Sequence, residues 1–421
     1  MIFLKWAFLN LKRNKRLTLA TGFALVFGFT GLLLLSGYIK VVDRFVSTQT
    51  IYLNMVGHIG ILKTGFIENA YRDPEKYLLT SEEQKEIEKV LEIPFFKEKI
   101  EKVSKKLTAF ALLSAADKNL PIYIEAYPEG MTAYIANHPQ LEKWLPTLLS
   151  RIKTSDGVSL TKELYLMLGQ EMNSQAIDVQ IMTKTLDGYL NGVSDKLTGV
   201  HTTGFAFAED VSAKMSLPKL QELLATDKIG TFSIFLKDES RVNEVVEHLK
   251  LNLKGKGLDV YSYNSDEIGA YYTGTMSFIK SIGFFFYSLI ALVSIFSIVN
   301  TLTMGINERT KEIGTLRSMG FNNNQISNLF SLEVIALTTI AIIISSVLYY
   351  VLSSFINSLK IPFEPAGSSG YVYFTIYIST SIMLAHACII LFISYLTSFI
   401  ACKRKLNLNV AELLNEQGVY K

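Results

Sequence analysis

Four long apolar runs without acidic or basic residues dominate the pattern of hydrophobic and polar positions along the chain. They cover residues 17–39, 281–307, 334–359 and 371–402. An α-helix rises ~1.5 Å per residue and the hydrocarbon core of a bilayer is ~30 Å thick, so each run is long enough to cross a membrane. The first run is too long for a typical signal peptide and lacks a small-residue cleavage site, so we expect it to be retained.

Apolar positions extend past the membrane length in two places. They continue after the first run to about residue 50, and they begin ahead of the second run at about residue 266. A helix over residues 266–306 would be ~60 Å long, about twice the hydrocarbon thickness. The pattern therefore predicts two stalks that hold a domain away from the bilayer.

The intervening region, residues 51–265, mixes strand and helix patterns. Alternating segments that start at His58, Pro121 and Ala176 predict strands, and a segment that opens with a Ser N-cap signal at Ser81 predicts a helix. A β–α–β pattern closes the region, and residues 131–154 are predicted to be an insertion or a mobile loop. The predicted fold class is therefore a membrane α-helical protein, with an α+β domain inserted between its first and second spans.

The boundaries follow from these patterns. The predicted order is an interfacial cytoplasmic helix (1–16), the first membrane helix and stalk (17–50), the outer α+β domain (51–265), the second stalk and membrane helix (266–306), a charged cytoplasmic loop (307–333), the third membrane helix (334–359), a short outer loop (360–370), the fourth membrane helix (371–402) and a cytoplasmic tail (403–421). The alternative for residues 1–16 is a plain basic flank of the first span.

Composition and charge agree with a mixed protein. Hydrophobic residues make up 49% of the 421 residues, and the mean hydropathy is +0.27. Residues 40–280 carry 28 Lys and Arg against 32 Asp and Glu, which is net −4, and the remainder carries 13 against 6, which is net +7; together they give the net +3 of the chain. Because cationic loops stay on the cytoplasmic side, the termini and residues 307–333 are predicted to be cytoplasmic. This asymmetry also argues against a nucleic-acid partner.

Motifs for catalysis and metal binding are missing from the sequence. There is no GxxxxGK[ST] phosphate loop, no GxSxG and no HExxH, and the only two cysteines, Cys388 and Cys402, lie in the last run. We therefore expect no cofactor in this chain and no enzymatic activity of its own. Two ionisable residues adjoin or lie within the spans. Glu333 is expected to be hydrated or paired, and His386 to make a polar contact between helices.

Small residues in the first span indicate a possible helix–helix interface. Ala24, Gly28 and Gly31 lie at or near helical spacing and would let another helix approach closely. Chance occurrence of such residues is equally compatible with the pattern.

The charged segment between the second and third runs is the most specific feature of the chain. As a helix it places Ile313 and Leu316 on one stripe, and Gly320 is suited to end it as a C-cap. Its pattern resembles that of the permease family of MacB, LolC, LolE and FtsX, in which the second span is followed by ER-x-x-E-I-G-x-L-R-A-x-G. The matching residues are Glu308, Arg309, Glu312, Ile313, Gly314, Leu316, Arg317 and Gly320, followed by Ile326, Phe330 and Glu333.

The resemblance implies a specific arrangement of partners. A cytoplasmic ABC ATPase dimer would bind ATP and Mg and would dock on the short helix of each of two permeases, which form a homodimer or a heterodimer. The residues that the resemblance assigns to ATPase coupling are Glu308, Arg309, Lys311, Glu312, Ile313, Gly314, Leu316, Arg317, Met319 and Gly320. ATP-driven closure would move the short helix, and the stalks would carry this motion to a MacB-like periplasmic domain.

Two functions follow from the resemblance. The favoured one is extraction or export of a lipoprotein, or of another hydrophobic or peptide cargo, from the outer face of the bacterial inner membrane, with a periplasmic adaptor or lipoprotein chaperone and membrane lipids as further partners. The alternative is an FtsX-like signalling scaffold that activates a periplasmic cell-wall hydrolase and moves no cargo. The sequence does not identify the cargo.

Overall fold

The structure is a computed structural model that describes residues 15–115, 118–153, 157–169, 177–365 and 367–406, with side chains from residue 18 onward. The described chain divides into two units. The sheet unit comprises Asp43–Ser277 and Pro362–Tyr373, and the membrane unit comprises the remaining described residues. Residues 1–14 of the predicted interfacial helix (1–16) and residues 407–421 of the predicted tail (403–421) lie outside the described residues. Lys15 and Arg16 belong to the first described helix.

Four helices in the described chain are long and apolar enough to cross a membrane. In chain order the helices are α1 (Lys15–Thr48), α2 (Phe66–Asn69), α3 (Pro74–Tyr77), α4 (Ser81–Leu91), α5 (Pro94–Lys99), α6 (Met131–Ala136), α7 (Pro139–Trp144), α8 (Pro146–Leu149), α9 (Lys162–Met167), α10 (Leu217–Leu224), α11 (Val242–Asn252), α12 (Asp266–Glu308), α13 (Thr310–Ser318), α14 (Asn323–Ser358) and α15 (Thr380–Leu406). A π-helical turn, Gln49–Leu53, follows α1, and a 3₁₀ turn, Glu239–Arg241, precedes α11. The four candidate spans are α1, α12, α14 and α15, as predicted.

The sheet unit is built on nine strands. They are β1 (Ile59–Lys63), β2 (Ile100–Ala115), β3 (Lys118–Tyr127), β4 (Val158–Thr161), β5 (Ile177–Lys184), β6 (Leu190–His201), β7 (Ser212–Ser216), β8 (Thr231–Leu236) and β9 (Leu258–Ser262), with a small separate hairpin of β10 (Pro362–Phe363) and β11 (Val372–Tyr373). The prediction of an α+β domain between the first and second spans is confirmed.

The long strand β2 belongs to two parts of this sheet. Its first half pairs with β8, which continues to β1 and β9. Its second half pairs with both β3 and β5. The pairing order from β3 is β7, β4, β6 and β5, so these five strands and β2 form a closed ring of six strands. Alternating residues such as Ile124, Ala213 and Leu160 are fully buried on one side of the ring.

Local sequence accounts for the helix α4 of this domain with one correction. The N-cap of α4 is Thr80, and not the predicted Ser81. The Thr80 hydroxyl accepts a hydrogen bond from the Glu83 N–H, and the Glu83 carboxylate accepts one from the Thr80 N–H, which is a capping box. Ile87 and Leu91 lie on the buried face of this helix.

Residues 131–154 were predicted to be an insertion or a mobile loop, and the mobile loop was wrong for the described part of that stretch. The chain there forms α6, α7 and α8, and the last two each begin with a proline at the first turn, where proline is tolerated. Leu141, Leu145 and Leu148 are fully buried. Single helical turns of this kind are too short to show a helical period in the sequence.

The fourth membrane helix begins later than the predicted start at residue 371. It starts at Thr380, and residues 374–379 are neither helix nor strand. Their backbone is satisfied by side chains of α14, because the Asn357 amide bonds to both the N–H and the carbonyl of Ile376 and the Tyr349 hydroxyl donates to the Tyr377 carbonyl. Gly37 of α1 permits this packing, since a Cβ there would lie 2.7 Å from Ile376. Partners distant in sequence therefore hold an apolar run in a non-helical form.

The hairpin segment between α14 and α15 packs within the sheet unit. The Ser369 N–H donates to the Gly204 carbonyl at 3.1 Å, and the Arg151 guanidinium donates to the Ser369 carbonyl at 2.6 Å. A Cβ at Gly370 would lie 2.8 Å from Leu148. Residues 362–373 are thus part of this domain, whereas the sequence predicted a short loop at residues 360–370.

Candidate functional site

The predicted charged loop contains a short helix, α13, between two well-defined breaks. The chain leaves the helical conformation at Arg309 (φ −113°, ψ 23°), which separates α12 from α13. The next helix, α14, begins at Asn323 with a capping box formed by Asn322 and Gln325. Residues 323–333, assigned by the sequence to the loop, are therefore the first turns of the third membrane helix.

One face of α13 packs into the membrane unit. Ile313 is 5% exposed and lies in a cluster with Ile306, Ile326 and Phe330, and Leu316 packs against the same cluster. This is the apolar stripe that the sequence predicted. Because the stripe is buried against α12 and α14, the short helix is fixed to the two long helices that flank it.

A buried ion pair fixes the start of the short helix. The Arg309 guanidinium donates two hydrogen bonds to the Glu333 carboxylate, at 2.8 and 3.0 Å, and the two side chains are 5% and 13% exposed. The two planar groups meet in the bidentate geometry that gives the strongest arginine–carboxylate contacts. Arg309 therefore connects the break between α12 and α13 to α14. A residue that contacts an ATPase would have to be accessible, whereas Arg309 is buried.

The end of the short helix is held by Arg317 and Gly320. The Arg317 guanidinium donates to the Asn323 side chain at 3.0 Å and also to the Leu406 carbonyl at the end of α15. Gly320 has φ +88°, its N–H donates to the Arg317 carbonyl, and the Phe321 N–H donates to the Leu316 carbonyl. These two bonds form a Schellman motif, in which glycine supplies the left-handed conformation. Gly320 thus ends the helix as expected.

The opposite face of α13 is exposed. Its exposed positions are Lys311, Gly314, Thr315, Ser318 and Met319, which follow the i, i+3, i+4, i+7, i+8 spacing of one helical face. Met319 is 61% exposed, and a Cβ built on Gly314 would meet no atom within 4 Å. We call these five residues the α13 face. Its side chains are polar or absent except for the large apolar side chain of Met319 at its end.

The structure divides the ten predicted coupling residues into three groups. Glu308, Lys311, Gly314, Met319 and Gly320 are exposed; Glu312, Leu316 and Arg317 are half-buried; Arg309 and Ile313 are buried. Thr315 and Ser318 belong to the α13 face but were not predicted. The signal was available, because both lie four residues after a predicted member of the face.

The small residues of the first span do not share one environment. A Cβ on Gly28 would lie 3.4 Å from Ile290 of α12, so this glycine permits close packing of α1 and α12. Ala24 is half-buried, and a Cβ on Gly31 would meet no atom within 4 Å. Of the three predicted residues, Gly28 therefore makes a close helix–helix contact within the described chain.

The polar residue in the last span joins three helices. The His386 Nε2 lies 3.1 Å from the Ser36 hydroxyl, which is 2.9 Å from the Tyr287 hydroxyl. The His386 Nδ1 lies 2.8 Å from the Ile382 carbonyl of its own helix. His386 is thus in the polar interhelical contact that was predicted, between α1, α12 and α15.

The described residues hold no group of three or more His, Cys, Asp and Glu side chains that could bind a metal ion. The α13 face itself presents the Lys311 ammonium group, the hydroxyls of Thr315 and Ser318 and the Met319 side chain.

Comparison with known proteins identifies the region that carries this face. Residues 284–410 match the FtsX-like permease C-terminal family. Over 128 residues the chain is 32% identical to the ABC transporter permease YtrF of Bacillus subtilis (strain 168), a match that covers 30% of this chain and 28% of YtrF. The aligned region thus spans less than a third of that relative.

Two solved structures resemble the chain weakly. One is the periplasmic region of MacB from Actinobacillus actinomycetemcomitans, with a TM-score of 0.33 and 10% identity, covering 49% of this chain and 88% of that one. The other is the extracellular domain of the noncanonic ABC-type transporter YknZ from Gram-positive bacteria, with a TM-score of 0.30 and 11% identity, covering 48% of this chain and 99% of that one.

Proposed function

Because residues 284–410 are an FtsX-like permease C-terminal domain, we propose that this chain is the permease subunit of an ABC transporter and that its α13 face is the docking site of a separate cytoplasmic ATPase. The observation that carries the proposal is a short helix with one face held to α12 and α14 by Ile313 and by the Arg309–Glu333 pair, and its other face exposed. A surface fixed in this way moves together with the long helices when a partner pushes it.

The charge pattern supports the orientation that this proposal needs. Residues 1–16 carry five basic side chains and no acidic one, and α15 ends with Lys403, Arg404 and Lys405. Cationic segments next to membrane spans remain in the cytoplasm. In the proposed arrangement α13 faces the cytoplasm of a bacterial cell, and the sheet unit lies on the outer side of the inner membrane.

We further propose that ATP hydrolysis by the partner is converted into motion of the sheet unit and that no substrate crosses the bilayer through the helices. In support, the apolar stretches 18–39, 281–307, 334–359 and 374–402 contain no Asp, Glu, Lys or Arg. Their ionisable groups are the partnered His386, the two cysteines and tyrosines. A path for a charged solute would require charged groups. We favour transport over signalling to a cell-wall hydrolase. The cargo would be a lipoprotein or another hydrophobic or peptide molecule at the outer face, handled by a pair of permeases.

A glycine substitution tests the docking site directly. Gly314→Leu adds a side chain into open space on the α13 face, so the chain itself should fold at least as well, because leucine favours a helix interior by up to about 1 kcal/mol over glycine. Docking of an ATPase against this face would be blocked. We expect Gly314→Leu to abolish stimulation of the companion ATPase in reconstituted vesicles.

Gly274→Leu is the matched control. Gly274 is also a helical glycine, in α12, where an added Cβ would meet open space. It should leave ATPase stimulation unchanged. Wild-type stimulation by Gly314→Leu, with the variant present in the membrane at normal amounts, would refute the docking proposal. Co-purification of a cell-wall hydrolase in place of a lipidated or peptide cargo would leave docking intact and favour the signalling alternative.

A further inference from the structure

One loop of the sheet unit, residues 202–209, contacts three segments that continue into membrane helices. The first is the π-helical turn that follows α1, because a Cβ built on Gly204 would lie 2.6 Å from the side-chain nitrogen of Gln49. The second is α12, since the ring centroids of Phe205 and Tyr271 are 4.4 Å apart. The third is the hairpin segment, residues 362–373, between α14 and α15. We call residues 202–209 the junction loop.

Main-chain hydrogen bonds attach the hairpin segment to the junction loop. The Ala206 N–H donates to the Gly367 carbonyl at 2.9 Å, and the Ser369 N–H donates to the Gly204 carbonyl at 3.1 Å. These two bonds form an antiparallel bridge between the loop and the hairpin segment. The Arg151 guanidinium also donates to the Ser369 carbonyl. The hairpin segment therefore cannot shift without breaking these bonds or displacing the loop.

A buried carboxylate makes the junction loop rigid. Glu209 is 3% exposed. One of its oxygens accepts hydrogen bonds from the hydroxyls of Thr202 and Thr203 and from the N–H groups of Thr203 and Gly204, at 2.8–3.2 Å. Hydrogen bonds to an ionised acceptor are about twice as strong as neutral ones. The loop is therefore suited to pass on a displacement of the hairpin segment and not to absorb it.

The connection between α14 and α15 is long, yet it leaves α14 with little slack. It comprises residues 359–379, which are 21 residues, whereas connections between bundled helices usually have about 2–8. Only residues 359–361 lie between the end of α14 and Pro362, and a segment of that length spans at most about 14 Å when extended. The chain thus leads from a membrane helix directly to the sheet unit.

The same membrane helix is attached to the proposed docking helix. The Arg309 guanidinium bonds to the Glu333 carboxylate of α14, and Ile313 packs in one cluster with Ile326 and Phe330 of α14. Energetic coupling between distant sites is carried by packed side chains and hydrogen-bonded networks of this kind. A displacement of α13 is therefore passed to α14 as well as to α12.

We propose that α14 and the hairpin segment form a third mechanical route, besides the two stalks, by which motion of α13 reaches the sheet unit at the junction loop. This inference rests on the proposed ATPase docking and adds the place where the motion is received. The stalk helices α1 and α12 lead to the same loop through Gln49 and Tyr271. All three routes thus act on one rigid element.

A glycine in the hairpin segment allows this route to be interrupted. A Cβ on Gly370 would lie 2.8 Å from the fully buried Leu148 side chain and 3.2 Å from the Arg151 guanidinium, and the φ of Gly370 is not in the left-handed region. Gly370→Val should therefore push the hairpin segment away from the sheet unit without changing α13. Glu364→Val is the matched control, because Glu364 is an exposed residue of the same segment.

Amide hydrogen exchange of residues 202–209 measures the response of the loop, because the Thr203 and Gly204 amides are bonded to Glu209. Exchange would be compared with and without ATP, in vesicles that contain the permease and its companion ATPase. We expect ATP to change exchange of the loop in wild type and Glu364→Val, and the change to be at least fivefold smaller in Gly370→Val. ATPase stimulation in the same vesicles should be equal in all three chains.

A reversible disulfide distinguishes an interrupted route from a local distortion. The hydroxyl oxygens of Thr202 and Ser369 are 3.1 Å apart. Thr202→Cys with Ser369→Cys, in a Gly370→Val chain with Cys388 and Cys402 replaced, would join the hairpin segment to the junction loop on oxidation. We expect oxidation to restore the ATP-dependent change in exchange and a reductant to remove it again.

An ATP-dependent change that is equal in Gly370→Val and wild type, or that oxidation does not restore, would overturn the third route. Wild type that stimulates the ATPase without any ATP-dependent change at the junction loop would also overturn it and leave docking intact. Wild type that gives no stimulation would refute docking and, with it, this route.

A second variant applies if Gly370→Val does not accumulate as folded protein. Arg151→Ala alters an exposed residue and removes the hydrogen bond to the Ser369 carbonyl. It should reduce the ATP-dependent change in exchange at least twofold, and an unchanged response would overturn the proposal.

Discussion

At the scale of single residues, the ion pair between Arg309 and Glu333 decides how the short helix is attached. Both side chains are almost completely buried, and the arginine is at the break between α12 and α13. A buried pair adds little net stability compared with apolar residues, but either partner left alone is strongly unfavourable. The pair therefore specifies the geometry of the break. Mutation of one member alone should cost more stability than mutation of both.

Removal of one partner should be worse than removal of both. We expect Arg309→Ala to lower the free energy of unfolding by about 3–5 kcal/mol, because the Glu333 carboxylate stays buried without its guanidinium. The double variant Arg309→Met with Glu333→Leu should recover most of this loss. Thermal unfolding of the purified chain in one detergent measures both. A double variant as unstable as Arg309→Ala would show that the pair has another role.

A buried histidine in the sheet unit predicts sensitivity to acid. Burial lowers the pKa of His58 to about 4, with Glu239 opposing the shift and His138 adding to it. Its Nδ1 accepts a hydrogen bond from the Leu236 N–H at 3.0 Å, which requires the neutral ring. The unfolded chain binds this proton at a pKa near 6.5, so stability should fall as pH drops from about 6.5 to about 4, by about 3 kcal/mol from this residue.

Comparison with His58→Asn isolates this contribution, because the asparagine side-chain oxygen can still accept from the Leu236 N–H. The variant should lose less stability than wild type between pH 7 and pH 4. Parallel pH profiles of Tm for the two chains would contradict the assignment of this acid sensitivity to His58.

At the scale of elements, the glycines of α13 have different requirements. Gly320 has φ +88°, where an L side chain is strained, whereas Gly314 is inside the helix with open space around its α-carbon. Gly320→Ala should therefore destabilise the chain by about 1–2 kcal/mol, and Gly314→Ala should stabilise it by about 0.5–1 kcal/mol. Thermal unfolding of the two variants tests these opposite signs, and a loss of stability in Gly314→Ala would indicate an internal contact that the structure lacks.

The capping box of α4 gives a second prediction at this scale. Thr80→Ala removes the hydroxyl that accepts from the Glu83 N–H, so we expect a loss of about 1 kcal/mol. Thr80→Ser keeps the acceptor and should lose much less. Urea unfolding of both variants in the same detergent provides the measurement, and equal losses would mean that the methyl group, and not the cap, is responsible.

At the scale of the whole molecule, the sequence predicts what depends on local periodicity. The four membrane helices and the strands starting near His58, Pro121 and Ala176 were found from apolar spacing alone. The start of α15 was missed because Asn357 and Tyr349, distant in sequence, bond to the backbone of the non-helical residues 374–379. The ring of strands was not predicted at all, since pairing partners are set by contacts across the chain.

The same distinction holds for the candidate site. The stripe of Ile313 and Leu316 and the C-cap at Gly320 are local features, and the structure has both. Arg309 was placed among the accessible coupling residues, but its partner Glu333 lies 24 residues further on and removes it from solvent. A charged side chain gives no sign in the sequence of whether a distant carboxylate will pair with it.

The central claim is that a cytoplasmic ATPase contacts the α13 face, and site-directed cross-linking tests it most directly. In a chain with Cys388 and Cys402 replaced, a single cysteine at Met319, which is 61% exposed, would be compared with one at Tyr189, which is 75% exposed on the β5–β6 turn. The account predicts ATP-dependent cross-linking of the companion ATPase to position 319 and none to position 189. No cross-link at position 319, or a cross-link at position 189, would contradict it.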